Sequence, residues 1–242
     1  MAIKVKNEDE VSEIDLNIFL DSAYPITIDL KSSCPGTNKH SQYLSSIIES
    51  VCVALGIDPL RLRVAAMFHD CGKIMNPKIF SENQISTDID PHETLDPYLS
   101  AQLITRHVSD SVAILINIPK FPRDIIEIIS QHHGNSIVKY FFAKSESEDE
   151  SKFRYKLARP TSFESAILMI CDIVESKSRA KAQAGDLNIE EVIDSTFSGL
   201  RDDHQLDDVY LRFGDLRIIE NTLAKELEGI FQKRVDYDKA KK

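Results

Sequence analysis

Apolar residues recur at spacings of three and four along nearly the whole chain, and the strict apolar–polar alternation of a half-buried strand is almost absent. That periodicity confines the fold to helices packed on one another, and several helix ends can be read directly. Thr37 is expected to cap a helix carrying Tyr43, Leu44, Ile47, Ile48, Val51 and Leu55, closed by Gly56. Asp58-Pro59 starts a second, through Leu62, Ala65, Ala66 and His69 to Gly72. Asp96-Pro97 starts a third, with Leu99, Leu103 and His107 spaced by four and so expected on one face. A fourth follows Pro122, with Ile125, Ile129, His132 and His133 ahead of Gly134. Thr161 and Glu164 form a capping-box pattern for a long helix with Leu168, Asp172 and Glu175 on one stripe. Asn188 with Glu191 marks another start, and Asp215 opens a last amphipathic helix through Leu216, Ile219, Leu223, Leu227 and Ile230. Residues 83–93 and the acidic run 145–151 read as loops.

Composition narrows the class further. At 242 residues, 42% hydrophobic and 28% charged, the chain can bury a sizeable core. Its 8 Gly, 9 Pro and 4 Cys exclude collagen-like, disordered and disulfide-scaffold chains. The most apolar runs, 64–68 and 112–118, fall far short of the roughly 20 residues of a spanning helix, and residues 1–10 are too polar and acidic for a signal peptide. A net charge of −10 argues against long nucleic acid as a partner. A small anion remains compatible if metal ions supply positive charge. Cys34, Cys52, Cys71 and Cys171 form no C-x-x-C pair, which favours a reducing cytoplasm and buried thiols.

The histidines are distributed unevenly. Six of the seven lie between residues 40 and 133. His40, His69, His107 and the pair His132-His133 sit on apolar-patterned helices, at or near their ends. One such histidine is most simply a hydrogen-bonded core residue. Several together would leave many ring nitrogens to satisfy, at about 1–3 kcal/mol for each failure. The dipeptide His69-Asp70, within H-D-C-G-K at a helix end, gives the group a centre. Imidazoles and carboxylates from separate helices can surround a divalent ion, and one carboxylate can bridge two. Five His with Asp70 and Asp172 suit two ions, and imidazole-rich sites favour transition metals over magnesium.

The order H…HD…H…HH…D resembles that of HD-domain phosphohydrolases with a binuclear site. Eight shorter stretches sharpen the match: P-G-T-N-K-H-S at 35–41, H-D-C-G-K at 69–73, F-S-E-N-Q at 80–84, D-P-H at 90–92, H-V-S-D at 107–110, N-S-I-V-K-Y-F at 135–141, F-R-Y at 153–155 and Q-L-D at 205–207. They resemble the cytosolic HD domain of PgpH-type cyclic di-AMP phosphodiesterases over roughly residues 30–237. The resemblance implies an all-α HD-domain helical bundle with a binuclear metal centre. Residues 1–29 would then be a lead-in and 238–242 a tail.

Carried over position by position, the resemblance makes His40, His69, Asp70 and Asp172 ligands of one ion. His107, His132 and His133 complete a second, with Asp70 bridging, and the two divalent ions are expected to be iron or manganese. Asp70 and Lys73 would carry catalysis, with Lys73, Asp110 and Lys139 toward the substrate. The implied reaction is hydrolysis of cyclic di-AMP to linear 5′-pApA by a hydroxide shared between the ions. For Lys139 a surface helix charge is an equally good reading. Lys39 stands where relatives carry a second histidine, Cys71 where they carry an aliphatic residue, and His204 where they often carry Gly. None of the three is an expected ligand. Relatives place this domain behind membrane helices, so the chain would be an excised cytoplasmic domain of a membrane protein or a soluble relative. The competing readings are another HD phosphohydrolase, acting on a different cyclic dinucleotide or on mononucleotides, and a non-catalytic nucleotide sensor. Base preference and oligomeric state are not legible in the residues.

Overall fold

A computed structural model describes residues 14–85 and 89–239. Residues 1–13 of the expected lead-in, 86–88 of the expected loop and 240–242 of the expected tail lie outside the described residues. Among the described residues ten α-helices follow one another: α1 (Asn17–Leu20), α2 (Pro25–Ser33), α3 (Pro35–Leu55), α4 (Leu60–Phe68), α5 (Pro97–Ile116), α6 (Arg123–Ser130), α7 (Lys139–Lys144), α8 (Phe163–Ala184), α9 (Ile189–Asp202) and α10 (Phe213–Lys239). Among the described residues no strand forms, and a single antiparallel bridge joins Ile137 to Arg154. The all-α expectation holds. No described helix is long and apolar enough to cross a membrane.

The main core is built where the apolar stripes meet. Leu44, Ile47, Ile48 and Val51 of α3 pack with Leu62 and Ala65 of α4, Ile125 and Ile129 of α6, Ile167 and Ile170 of α8, and Ile219 and Leu223 of α10. Phe19, Ile26 and Leu30 from α1 and α2 enter the same core. A second, smaller cluster of Ala101, Phe141 and Phe153 lies under α5 and α7.

Several helix ends form as their residues dictate. Gly56 and Gly185 close α3 and α8 in the left-handed conformation. Asp96 caps α5 by accepting from the amides of Tyr98 and Leu99, and Asn188 caps α9 by accepting from Glu191.

Other ends differ from expectation, each for a local reason. The helix assigned to a Thr37 cap starts earlier, at Pro35, and the Thr37 amide bonds instead to the side chain of Asn83. Ser162 with Ser165, rather than Thr161 with Glu164, forms the capping box of α8, because Thr161 is engaged by the Gln131 side chain. The expected α5 face also rotates. Leu99 is half exposed, and the buried stripe is Ser100, Ala101, His107, Val108 and Ser111, which places His107 in mid-helix rather than near an end. Small residues suit this stripe because Ser111 lies against the turn after α4 and Ala101 packs with Phe141 and Phe153.

Helix α4 ends at Phe68, and the chain passes through His69 and Asp70 into a 3-10 turn over Cys71–Met75. Gly72 is therefore not a helix stop; it marks a close approach. A Cβ there would lie 2.1 Å from the His107 carbonyl oxygen and 2.4 Å from the Ser111 nitrogen. Ser111 fastens the contact by accepting from the Gly72 amide at 2.8 Å and donating to the His69 carbonyl at 2.9 Å.

Candidate metal centre

Seven side chains converge from five parts of the chain. His40 comes from α3, His69 and Asp70 from the turn after α4, His107 from α5, His132 and His133 from the turn after α6, and Asp172 from α8. They form two groups, each with ligand atoms within 4.8 Å of one another: Asp70, His107, His132 and His133, and His40, His69 and Asp172. All seven positions expected to hold metal are thus brought together. Six of them are buried, His133 being partly covered.

The backbone fixes which ring nitrogen faces the centre. His69 Nδ1 donates to the Ala66 carbonyl at 2.9 Å, His107 Nδ1 to that of Ile104 at 2.7 Å, and His132 Nδ1 to that of Ile129 at 2.7 Å. A carbonyl only accepts, so the proton of each neutral ring lies on Nδ1, and Nε2 presents a lone pair inward. Each partner is three residues back in the chain, on the helix that His69 and His132 follow and on the helix that carries His107 itself.

The inward atoms lie close together, and in the half built by His107 and His132 they set acceptor against acceptor. His40 Nε2 lies 3.3 Å from His69 Nε2 and 3.1 Å from Asp172 Oδ1. The two Asp70 oxygens divide between the groups: Oδ2 is 3.2 Å from His69 Nε2, while Oδ1 is 3.1 Å from His107 Nε2 and 3.8 Å from His132 Nε2. Asp70 Oδ1, His107 Nε2 and His132 Nε2 are buried without a hydrogen-bond partner. Such orphaned atoms are costly unless something positive joins them. A divalent cation fits this donor set.

Protonation differs between the two groups. Burial, reinforced by the positive charge of His69, pushes His132 down to about 3. Burial, then His132 and His107, holds His133 well below its ordinary value. These rings are neutral donors. In the other group burial opposes protonation, but Asp70 and Asp172 draw His69 up to about 10, and Asp172 and Glu175 raise His40. Burial alone would make Asp70 and Asp172 neutral; the surrounding His charges, with Lys73 for Asp70, outweigh it and keep both ionised. A cation entering this group displaces protons.

Lys73 reaches the rim of the centre. Its Nζ lies 2.8 Å from Asp70 Oδ2 and 2.7 Å from Glu82 Oε1, and both carboxylates raise its pKa against the opposing effect of burial. Glu82 is in turn within 3.2 Å of the Thr37 hydroxyl. A cleft of about 420 Å³ opens here, lined by Lys73, Glu82, His92, His107, His133, Tyr140 and Tyr155 among others. Tyr155 stacks on His133, with ring centroids 4.5 Å apart. Asp110 and Lys139 lie outside the cluster. Asp110 pairs with Arg106 at 3.2 Å beside a neighbouring hollow along Gly72 and Asn76, and Lys139 is exposed at the start of α7. Glu82, Glu175 and Tyr155 were not singled out from the sequence. Glu175 left a readable signal in its i,i+3 spacing from Asp172, and Glu82 and Tyr155 lie within the stretches 80–84 and 153–155 that carry the resemblance, though with no role attached.

The comparisons agree with this geometry. The HD domain model matches residues 37–177. The chain is 35% identical over 223 residues to the cyclic-di-AMP phosphodiesterase PgpH of Bacillus subtilis (strain 168), covering 90% of this chain and 31% of that protein. It is 32% identical over 218 residues to PgpH of Listeria monocytogenes serotype 1/2a (strain 10403S), covering 88% and 30%. It thus spans about a third of the length of these curated relatives. The crystal structure of the L. monocytogenes PgpH HD domain superposes with a TM-score of 0.79 at 32% identity, covering 86% of this chain and 99% of that one. The same domain in complex with cyclic di-AMP gives 0.77, again at 32% identity, covering 86% and 97%. With its histidines and aspartates gathered as the motif requires and a solved PgpH HD domain matched almost end to end, the chain belongs to the HD domain family, in the branch of the PgpH HD domains.

Proposed function

We propose that this chain is a metal-dependent phosphodiesterase that hydrolyses cyclic di-AMP to linear 5′-pApA. The observation that carries the reading is the division of Asp70, whose two oxygens face two separate sets of inward-pointing donors. Support for the substrate comes from the PgpH relatives and from the related HD domain solved with cyclic di-AMP.

In this reading His40, His69, Asp70 and Asp172 hold one divalent ion, and Asp70, His107, His132 and His133 hold another, with iron or manganese the proposed metals. Ions held there would neutralise phosphoryl oxygens and lower the pKa of a coordinated water. The protein supplies the rest. Asp70 ties the two halves together, and the backbone-anchored histidines hold their donor atoms without reorganisation. Lys73, at the cleft rim, adds positive charge where the phosphate's charge grows, and Glu82 keeps its ammonium at that rim. Asp110 and Lys139 are proposed only as outer contacts of a ligand reaching beyond the cleft. The catalytic unit is taken as residues 30–237, between a lead-in of 1–29 and a tail of 238–242, acting in the cytoplasm. Four free, buried cysteines suit that reducing compartment.

Chromatography of products from cyclic di-AMP, cyclic di-GMP and a mononucleotide panel tests the reading. Cyclic di-AMP should give 5′-pApA only with metal present, and faster than cyclic di-GMP reacts. Equal turnover of mononucleotides, or no cleavage by protein carrying two ions, overturns it.

A further inference from the structure

Three of the clustered imidazoles use the same anchor, a backbone carbonyl three residues earlier in the chain. His40 does not. Its Nδ1 lies 2.5 Å from the carboxylate of Glu175, a residue of α8 135 positions away in sequence. Glu175 is 2% exposed, and its other charged contact, Arg179, stands farther off at 3.4 Å. A carboxylate buried at this depth is costly unless it is paired. Here its nearest partner is a neutral-to-cationic ring rather than an arginine.

The placement follows from helix geometry. Asp172 and Glu175 are three residues apart on α8 and share a face. That face meets His40 along both ring nitrogens, Asp172 Oδ1 at 3.1 Å from Nε2 and Glu175 Oε2 at 2.5 Å from Nδ1. One turn of helix thus grips one imidazole from both sides. We infer that Glu175 is a positioning residue that binds the Nδ1 proton of His40, aims the Nε2 lone pair at His69 and Asp172, and sets the affinity of that half of the centre for a divalent ion. This rests on the reading of His40, His69 and Asp172 as metal ligands.

The physical cause is the carboxylate's negative charge. A ring sharing its proton with a carboxylate is more electron-rich than one bonded to a peptide carbonyl, so it donates more strongly to a metal. Losing such an outer partner typically weakens metal binding by about 10- to 100-fold. Because the other three anchored histidines rely on their own helices, the effect should stay within one half of the centre.

Zinc uptake by the whole chain, measured by chelator competition, tests this without reference to turnover. The unsubstituted protein should bind two Zn²⁺. Glu175→Ala should weaken one binding step by about 100-fold and leave the other within about 3-fold. Glu175→Gln, whose amide oxygen still accepts from Nδ1, should weaken the same step by only about 10-fold. Nitrogen-15 spectra of the zinc-loaded protein add a readout that a packing role would not move: the His40 Nδ1 proton should shift upfield in the Gln variant as its hydrogen bond weakens. Should the Ala variant not fold, the Gln variant decides by the same measures. Both zinc affinities unchanged in the folded variants, or both weakened equally, overturns the role of Glu175. An unsubstituted protein that takes up no zinc overturns the metal reading, and this inference with it.

Discussion

Lys73 and Glu82 offer a test of their buried ion pair that does not depend on turnover. Their side chains are 12% and 13% exposed, with Nζ and Oε1 2.7 Å apart, and Lys73 also touches Asp70 at 2.8 Å. Replacing Lys73 by Met leaves Glu82 with the Thr37 hydroxyl at 3.2 Å as its remaining side-chain partner. Breaking a buried pair from one side costs about 3–5 kcal/mol. Glu82→Gln leaves Lys73 its contact with Asp70 and should cost less, about 1–3 kcal/mol. Removing both charges together should cost only about 1–2 kcal/mol, since neither partner is then left unpaired. The double-mutant cycle should therefore show a coupling of about 2–7 kcal/mol, centred near 4–5 kcal/mol. At about 2–4 °C per kcal/mol for a chain of this size, Lys73→Met should lower Tm by about 6–20 °C. Urea and thermal unfolding followed by circular dichroism, with saturating Mn²⁺ to cover Asp70, measure all four corners. A lysine waiting free for phosphate predicts a different result, less than about 1 kcal/mol for either change. Additivity within about 0.5 kcal/mol would refute the pairing argument.

Glu82 also fixes a pH dependence. Burial raises its pKa, but Lys73 outweighs that and holds it below the ordinary 4.5. The stabilisation is therefore complete above the unfolded value and lost as pH falls through the lower native one, so Glu82→Gln should flatten the acid limb of a stability–pH curve. Asp70→Ala should abolish both metal uptake, measured by elemental analysis, and cyclic di-AMP cleavage, because each group loses a ligand at once. Retention of either ion would mean that Asp70 does not serve both groups. Gly72→Ala should disrupt the turn, since its Cβ cannot fit 2.1 Å from a backbone oxygen. A large fall in Tm together with weakened metal binding is expected, and a variant melting within about 2 °C of the parent would contradict the close packing on α5.

The fold was legible where local chemistry alone decides. Gly56, Asp96 and Asn188 cap helices by contacts within a few residues, and each forms as the sequence implies. The misread ends depend on distant residues: Asn83 takes the Thr37 amide, and Gln131 takes Thr161. The spacing of Leu99, Leu103 and His107 is a sound helical pattern but does not mark the buried face, because α5 meets a backbone turn at Ser111 and the rings of Phe141 and Phe153 at Ala101, where small residues fit. The cluster itself was legible because its residue types are expensive to bury without a purpose. Glu82 and Tyr155 fall in stretches that carry the resemblance, but their roles were not legible, since a glutamate in a loop and a tyrosine after an acidic run carry no such cost until the structure buries them.

The centre also explains why so polar an assembly sits inside an apolar bundle. His40, His69, His107, His132, Asp70, Asp172 and Glu175 are all buried, and no solvent contact compensates them. Hydrophobic residues of similar volume would stabilise the bundle more simply. The fold instead spends its most rigid features on holding these groups: three Nδ1 atoms tied to helix carbonyls, a serine clamping the turn, and a glycine letting that turn touch α5. Each restraint removes a way for the side chains to relax apart or reach water. The crowding of Asp70 Oδ1, His107 Nε2 and His132 Nε2, buried without hydrogen-bond partners, is consequently built into the folded chain, and a bound cation would relieve it. Pre-organisation of this kind raises the affinity for a cation at the expense of stability in the metal-free state.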